Sequence, residues 1–412
     1  MSTYEDSGVN IDLGDKCSAI AYQAAKNTFP GRKGMMGEPV IDEGGFSGVM
    51  DMGDYYLVQN DDGIGTKMII AEKTENLGTM GYDLVAMVAD DAICIGAETI
   101  SLSNTLDVDN VNEDKIRALM AGLERACLEH KIIIPGGEIA ELGEMVNGYI
   151  WNSTAVGIVE KDKLITGANI KAGDKIIGLK SDGLRSNGFS LVRHILKNAL
   201  GDNWYFEKYN DTMTWAEAVL TPSKIYSSAV LEMHGRYKEK AKVELKGVVH
   251  VTGGGIKGNL KRLLKNHGAK ITDLPEPHLV IKKLMEMGEV STDEAYKTWN
   301  MGVGMILISN DFDSIKEICA SHKIEAQIIG EVTDGEIELE GSTKLQYSSI
   351  ITRSRQCKWV CLHHFCPYFF SQHSQISPTF RLKIITIFYT PSSVQGIRAK
   401  GSCINIKGHK FS

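Results

Sequence analysis

The stretch 61-DDGIGTK-67 follows an apolar run and joins two adjacent carboxylates to two glycines, a threonine and a lysine. A magnesium-bound nucleotide asks for such a set: hard oxygen ligands, backbone N–H groups that a phosphate can approach, and a cation beside it. Asp62 is the candidate metal ligand and catalytic carboxylate. Gly63 and Gly65 open the backbone, Thr66 and Lys67 reach for phosphate, and Lys67 is also a candidate catalytic cation. The common phosphate loop, G-x-x-x-x-G-K-[ST], is a different pattern, because here lysine follows threonine and the first glycine stands too close. A tight turn whose aspartates bond only local amides remains the alternative.

Further groups could join them. In 83-DLVAMVADD-91, Asp83 and Asp90 are seven apart and share a helix face, while Asp91 falls on the side of Leu84, Met87 and Val88. A carboxylate on an apolar side must be paired, hydrogen-bonded or metal-bound, unless it is solvated near the helix end. The run 135-PGGE-138 places Glu138 at the carboxyl edge of a strand, where open α/β sheets keep their sites. The glycines of 43-EGGFSG-48 (Gly44, Gly45 and Gly48) could fold over phosphate, a weak signal by itself. Ser186-Asn187-Gly188 and Thr252-Gly253 each open a helix, which serves equally as an anion site or as ordinary capping and packing. His250, in a Val-Val-His-Val strand, reads as a satisfied core histidine. The spacing C-x3-C-x-H-H-x-C of 357-CKWVCLHHFC-366 matches no standard zinc pair.

These residues need strands that end at a common edge and helices that open towards it, and the pattern supplies both. Residues 55–59 form a strand ending at the two aspartates, and 81–96 has the 3-4 spacing of a helix packed on a sheet. Asn112 caps a second helix, KIII before Pro135 reads as a short strand, and 149–160 as a half-buried one. The pattern restarts near residue 170. A helix follows Asn187 and stops at Gly201, 248–260 is strand, triple glycine and helix, and 301–309 is a buried strand. The class is α/β, of the α+β type, with domains at 1–169 and 170–347.

Composition narrows the function. At 412 residues, 43% hydrophobic and 24% charged, the chain is of ordinary globular make-up. All 52 acidic residues and 36 of the 45 basic ones lie in 1–347, a formal charge of −16, which argues against general nucleic-acid binding. No secretory signal and no membrane-spanning run is visible, so a cytoplasmic location is expected, with Cys17, Cys94, Cys127 and Cys319 as reduced thiols. Residues 348–412 hold nine Lys/Arg and no acid. This segment has no steady period and reads as a basic tail outside the fold.

In order, DSGVNID, DGIGTK, GYDLVAM..DD, PGGE, SNGFSLVR, TPSKIY and HVTGGG resemble the landmarks of the aminoimidazole ribonucleotide synthetase (phosphoribosylformylglycinamidine cyclo-ligase) family, from about residue 4 to about 340. The set is specific where each member alone is not. The resemblance implies two α/β domains: an N-terminal ATP-binding domain whose sheets join across a homodimer into a β-barrel, and a C-terminal mixed sheet with helices. It implies ATP- and Mg2+-dependent closure of formylglycinamidine ribonucleotide to aminoimidazole ribonucleotide, through phosphorylation of the amide oxygen. Residue by residue, Asp62, Thr66 and Lys67 match the family's T-D-G-V-G-T-K, Asp91 its N-D pair and Glu138 its G-G-E, so Asp62, Asp91 and Glu138 are the implied metal ligands. Gly44, Gly45 and Gly48 match its phosphate-covering loop, Asn187 its H-S-N-G, and Thr252 and Gly253 its L-T-G-G-G. Three departures stand out. Asp61 replaces Thr, Asp90 replaces Asn, and Arg185 replaces the His before Ser-Asn-Gly, where it could bind phosphate as a catalytic cation but not shuttle a proton. The rivals are another ATP user of the superfamily, such as thiamine-monophosphate kinase, and a non-catalytic nucleotide-binding relative.

Overall fold

The computed structural model describes residues 2–40 and 46–340; the expectations for Gly44, Gly45, the Cys/His run and the basic tail lie outside these residues. The strands fall into two mixed, six-stranded sheets. The first contains β1 (Glu38–Val40), β2 (Gly48–Asp51), β3 (Tyr55–Gly63), β4 (Glu98–Val108), β5 (Gly137–Glu141) and β6 (Tyr149–Glu160) in the order β1-β2-β3-β6-β4-β5. Only β4 and β5 run parallel in it. The second contains β7 (Lys175–Lys180), β8 (Gly247–His250), β9 (Gly268–Ile271), β10 (Val303–Ile308), β11 (Ala326–Thr333) and β12 (Ile337–Leu339) in the order β12-β9-β11-β7-β10-β8, with β12 and β9 parallel.

One helix ties the two sheets together. In Met80–Ile93, twelve of fourteen residues are buried, as a helix that is apolar nearly all round must be. It packs on β3, β4 and β6 of the first sheet, and on β8 and the helix Ser227–His234 beside the second. Gly81 allows its partner helix to approach, since a Cβ there would lie 2.1 Å from the Leu123 amide nitrogen. That partner, Glu113–His130, is capped by Asn112, whose side chain accepts from the Lys115 N–H at 3.0 Å. Of the stripe its spacing predicts (Ile116, Leu119, Met120, Leu123 and Cys127), it buries Leu119, Leu123 and Cys127 and leaves Ile116 and Met120 half-buried.

Two local expectations change. The strand expected to stop before the aspartates runs through them to Gly63, in register with Thr154, Ser153 and Asn152 of β6. KIII contributes a single bridge, Ile133 to Ser101, and the strand begins only at Gly137, after the Pro-Gly turn. Pro135 lacks the N–H that an uninterrupted ladder would use. The four described cysteines are free thiols, with Cys17 exposed and the others buried.

Candidate active site

Because β3 continues through 61-DDG-63, its side chains alternate and the adjacent aspartates part company. Asp61 lies on the outer face beside Thr154, whose hydroxyl donates to its carboxylate. Asp62 faces the opposite way, on the side where Asn60 donates to the Val88 carbonyl of the helix Met80–Ile93 at 3.0 Å. The Gly63 N–H donates to the Asp62 carboxylate at 2.7 Å. Burial pushes the Asp62 carboxyl up to about 6; the Asp91 charge adds to the rise, while the Gly63 N–H and His250 pull against it. Partial burial beside a second carboxylate is the setting in which a cation is wanted.

Asp91 is held from the second sheet: the Nδ1 of His250, at the end of β8, lies 2.7 Å from its carboxylate. The His250 side chain is fully buried and that of Asp91 is 17% exposed. Thr252 and Gly253 follow after Val251, and their carbonyls accept from the amide of Asn259 at 3.4 and 3.2 Å, which shapes the loop into the helix Gly255–Leu264. Gly255 is fixed by packing, because a Cβ there would fall 1.8 Å from the Tyr296 carbonyl oxygen. After β3, Gly65 turns the chain at φ +65°, and the Thr66 hydroxyl sits 3.5 Å from that of Ser190. The DDGIGTK turn thus meets the first turn of the helix Phe189–Leu200, which follows the half-buried Asn187. Gly48 opens β2 on the neighbouring strand.

Lys67 and Arg185 are placed otherwise than the sequence suggests. The Lys67 side chain is fully buried, with its Nζ 2.7 Å from Asp83 and donating to the Thr221 carbonyl at 2.9 Å. Burial pulls its pKa down against the Asp83 charge. Arg185, also buried, donates to Asp90 at 2.9 Å and to the Lys224 carbonyl at 2.8 Å. It does so from a left-handed backbone, φ +61°. Asp90 further accepts from the N–H groups of Tyr226 and Ser227 at 2.9 and 3.0 Å, and Asp83 from the Ser223 N–H at 3.1 Å. The segment 221-TPSKIY-226 therefore closes both ion pairs, a role that no spacing within it announces. Two of the departures from the family pattern, Asp90 and Arg185, are partners.

Glu138 does not join Asp62 and Asp91. Its strand, β5, lies three strands from β3, roughly 14 Å at ordinary inter-strand spacing. Its register through Thr105 and Asn152 to Gly63 also places it on the other face from Asp62. Among the described residues no three His, Cys, Asp or Glu side chains converge as a metal-holding group. His250 is the satisfied core histidine its strand suggests, fully buried with both ring nitrogens partnered, and Asp83 as the counter-ion of Lys67 was not foreseen. The signal available for the latter was a charged group in an apolar run.

The domain described as "AIR synthase related protein, N-terminal domain" matches residues 44–159, and the corresponding C-terminal domain matches residues 171–341. A protein named phosphoribosylformylglycinamidine cyclo-ligase from Methanococcus maripaludis strain C5 is 38% identical over 346 residues, covering 84% of this chain and 95% of its own. The protein of that name from Methanocaldococcus jannaschii is 39% identical over 354 residues, covering 83% and 95%. Among solved structures, a HypE–HypF complex has a TM-score of 0.52 at 18% identity, over 71% of this chain and 90% of its own. AaThiL complexed with AMPPCP and TMP has a TM-score of 0.50 at 16% identity, over 72% and 88%. At such identities the structural likeness is one of fold.

Proposed function

The chain belongs to the phosphoribosylformylglycinamidine cyclo-ligase family, and from that premise we propose that it closes formylglycinamidine ribonucleotide to aminoimidazole ribonucleotide, consuming ATP and releasing ADP and phosphate. The observation that carries the site assignment is the part-buried carboxylate pair Asp62–Asp91, set where the DDGIGTK turn meets the helix that follows Asn187. In the reaction the amide oxygen of the substrate takes the γ-phosphoryl group of ATP. The amidine nitrogen then attacks the activated carbon, and phosphate leaves with the former amide oxygen. Phosphorylation converts a poor leaving group into a good one, and holding nitrogen against carbon adds the proximity advantage.

Asp62 and Asp91 offer the hard oxygens that fit Mg2+. Bound there, the ion would neutralise charge on the nucleotide phosphates. Gly63, Gly65 and Thr66 present backbone and hydroxyl groups to phosphate, and Asn187 leads into a twelve-residue helix whose N-terminus favours anions. Gly48, Thr252 and Gly253 border the same region. Lys67 and Arg185 act as positioning residues that hold the helix Met80–Ile93 and the 221–226 segment, and no proton relay is assigned to Arg185.

The same reading takes the domains as 1–169 and 170–347 and the enzyme as a cytoplasmic homodimer. Among the described residues no helix is long and apolar enough to cross a membrane. The outer face of the first sheet carries Leu57, Val156 and Ile158 half-buried and Ile150 45% exposed, an apolar surface suited to a second copy. Purified protein with ATP, Mg2+ and formylglycinamidine ribonucleotide should release ADP and the imidazole product in equal amounts. Turnover with thiamine monophosphate in place of that substrate, and none with it, would overturn the assignment.

A further inference from the structure

Beyond Asp90 and the Lys224 carbonyl, Arg185 has a further contact: its terminal nitrogen lies 2.8 Å from the Nε2 of His250. A guanidinium only donates, so a contact of that length requires Nε2 to carry a lone pair and no hydrogen. The ring hydrogen is then on Nδ1, which faces the Asp91 carboxylate at 2.7 Å. The four side chains form one directed chain: the same Arg185 nitrogen donates one hydrogen to Asp90 and the other to Nε2, and Nδ1–H donates to Asp91. Arg185 and His250 are buried and Asp90 fully so, and the Asp91 end alone is partly exposed.

We propose that Arg185 locks His250 in its Nδ1–H tautomer, and that this fixed donor orients Asp91 for a divalent cation. His250 and Arg185 are thereby positioning residues rather than catalytic ones. Hydrogen bonds to metal-binding carboxylates of this kind typically change metal affinity by 10- to 100-fold. The proposal rests on the reading of Asp62 and Asp91 as the cation site, and the test separates the two.

Two amide substitutions split the functions of the ring. The amide nitrogen of asparagine is attached at the same carbon as Nδ1 and can donate to Asp91, whereas the amide oxygen of glutamine reaches out as Nε2 does and can accept from Arg185. His250→Asn keeps a donor for Asp91 and loses the partner of Arg185; His250→Gln does the reverse. Mn2+ affinity, measured without nucleotide by electron paramagnetic resonance, should fall 10- to 100-fold in His250→Gln and by less than about threefold in His250→Asn. Nitrogen-15 spectra of the imidazole in the unsubstituted protein should show hydrogen on Nδ1 and none on Nε2, a readout that does not depend on how either variant folds. Hydrogen on Nε2, or equal Mn2+ affinities in the two variants, overturns the proposal. Unchanged Mn2+ affinity in Asp62→Asn instead overturns the cation-site reading beneath it.

Discussion

Asp83 and Asp90 occupy one helix, seven residues apart, and each is matched inside the protein: a cation at 2.7 or 2.9 Å and backbone N–H groups from the 223–227 segment. Asp62 and Asp91, the latter next to Asp90 in the chain, are carboxylates of the same kind, yet what reaches them is a glycine N–H and one histidine. The first two are closed by the fold and the second two are left for something to complete. Burial alone does not mark a functional carboxylate, since the most buried aspartates here are the structural ones. What marks it is an acidic group whose environment raises its pKa rather than supplying a counter-ion, as at Asp62.

The largest effect should come from opening a closed pair. Replacing Arg185 with Met, or Asp90 with Ala, leaves a buried charge uncompensated and should cost about 3–5 kcal/mol in urea unfolding. The double variant Asp90→Leu/Arg185→Met should lose markedly less than the sum of the two single changes, and strict additivity would mean that the pair is not coupled.

Asp62→Asn should act in the opposite sense. Turnover should drop at least about 100-fold, or about 2.7 kcal/mol in the barrier, while stability at pH 7.5 rises by on the order of 1–3 kcal/mol. The sign follows from the raised carboxyl: near 6 in the folded chain and about 3.9 unfolded, it is disfavoured as a charge by folding. Its destabilising contribution therefore grows as pH rises from 4 through 6. The stability gain of the variant should accordingly be smaller at pH 5 than at pH 7.5, and a gain that grows on acidification would contradict the assignment.

The smallest effect is expected from deleting residues 348–412. Both carboxylate pairs and all their partners lie before residue 340, and the C-terminal family match ends at residue 341. Turnover should be unchanged and stability within about 0.5 kcal/mol, measured by the same assay and urea titration.

Much of the element pattern was legible because it is local. Asn112 and the Ile116–Leu119–Met120–Leu123–Cys127 stripe announce one helix, Gly201 ends another, and 149–160 runs as a strand over the residues its alternation marks. The differences are local as well: β3 runs four residues past the expected 55–59 because Asp-Asp-Gly, which resembles a turn, continues the ladder, and the strand expected at KIII is deferred by Pro135 to Gly137.

By itself the sequence determined which groups were available: a run of carboxylates, a lysine and an arginine in apolar surroundings, glycine turns at strand ends, and a family pattern with Asp90 and Arg185 out of place. Only the tertiary structure decided their pairing. Asp90 meets an arginine 95 residues away, and Asp91 a histidine 159 residues away. Neighbouring residues on a strand or helix point in different directions, so their partners are set by whichever distant element packs on each side. For the same reason Asp61 and Asp62, adjacent in the chain, ended on opposite faces of a sheet, and only the second faces the helix Met80–Ile93.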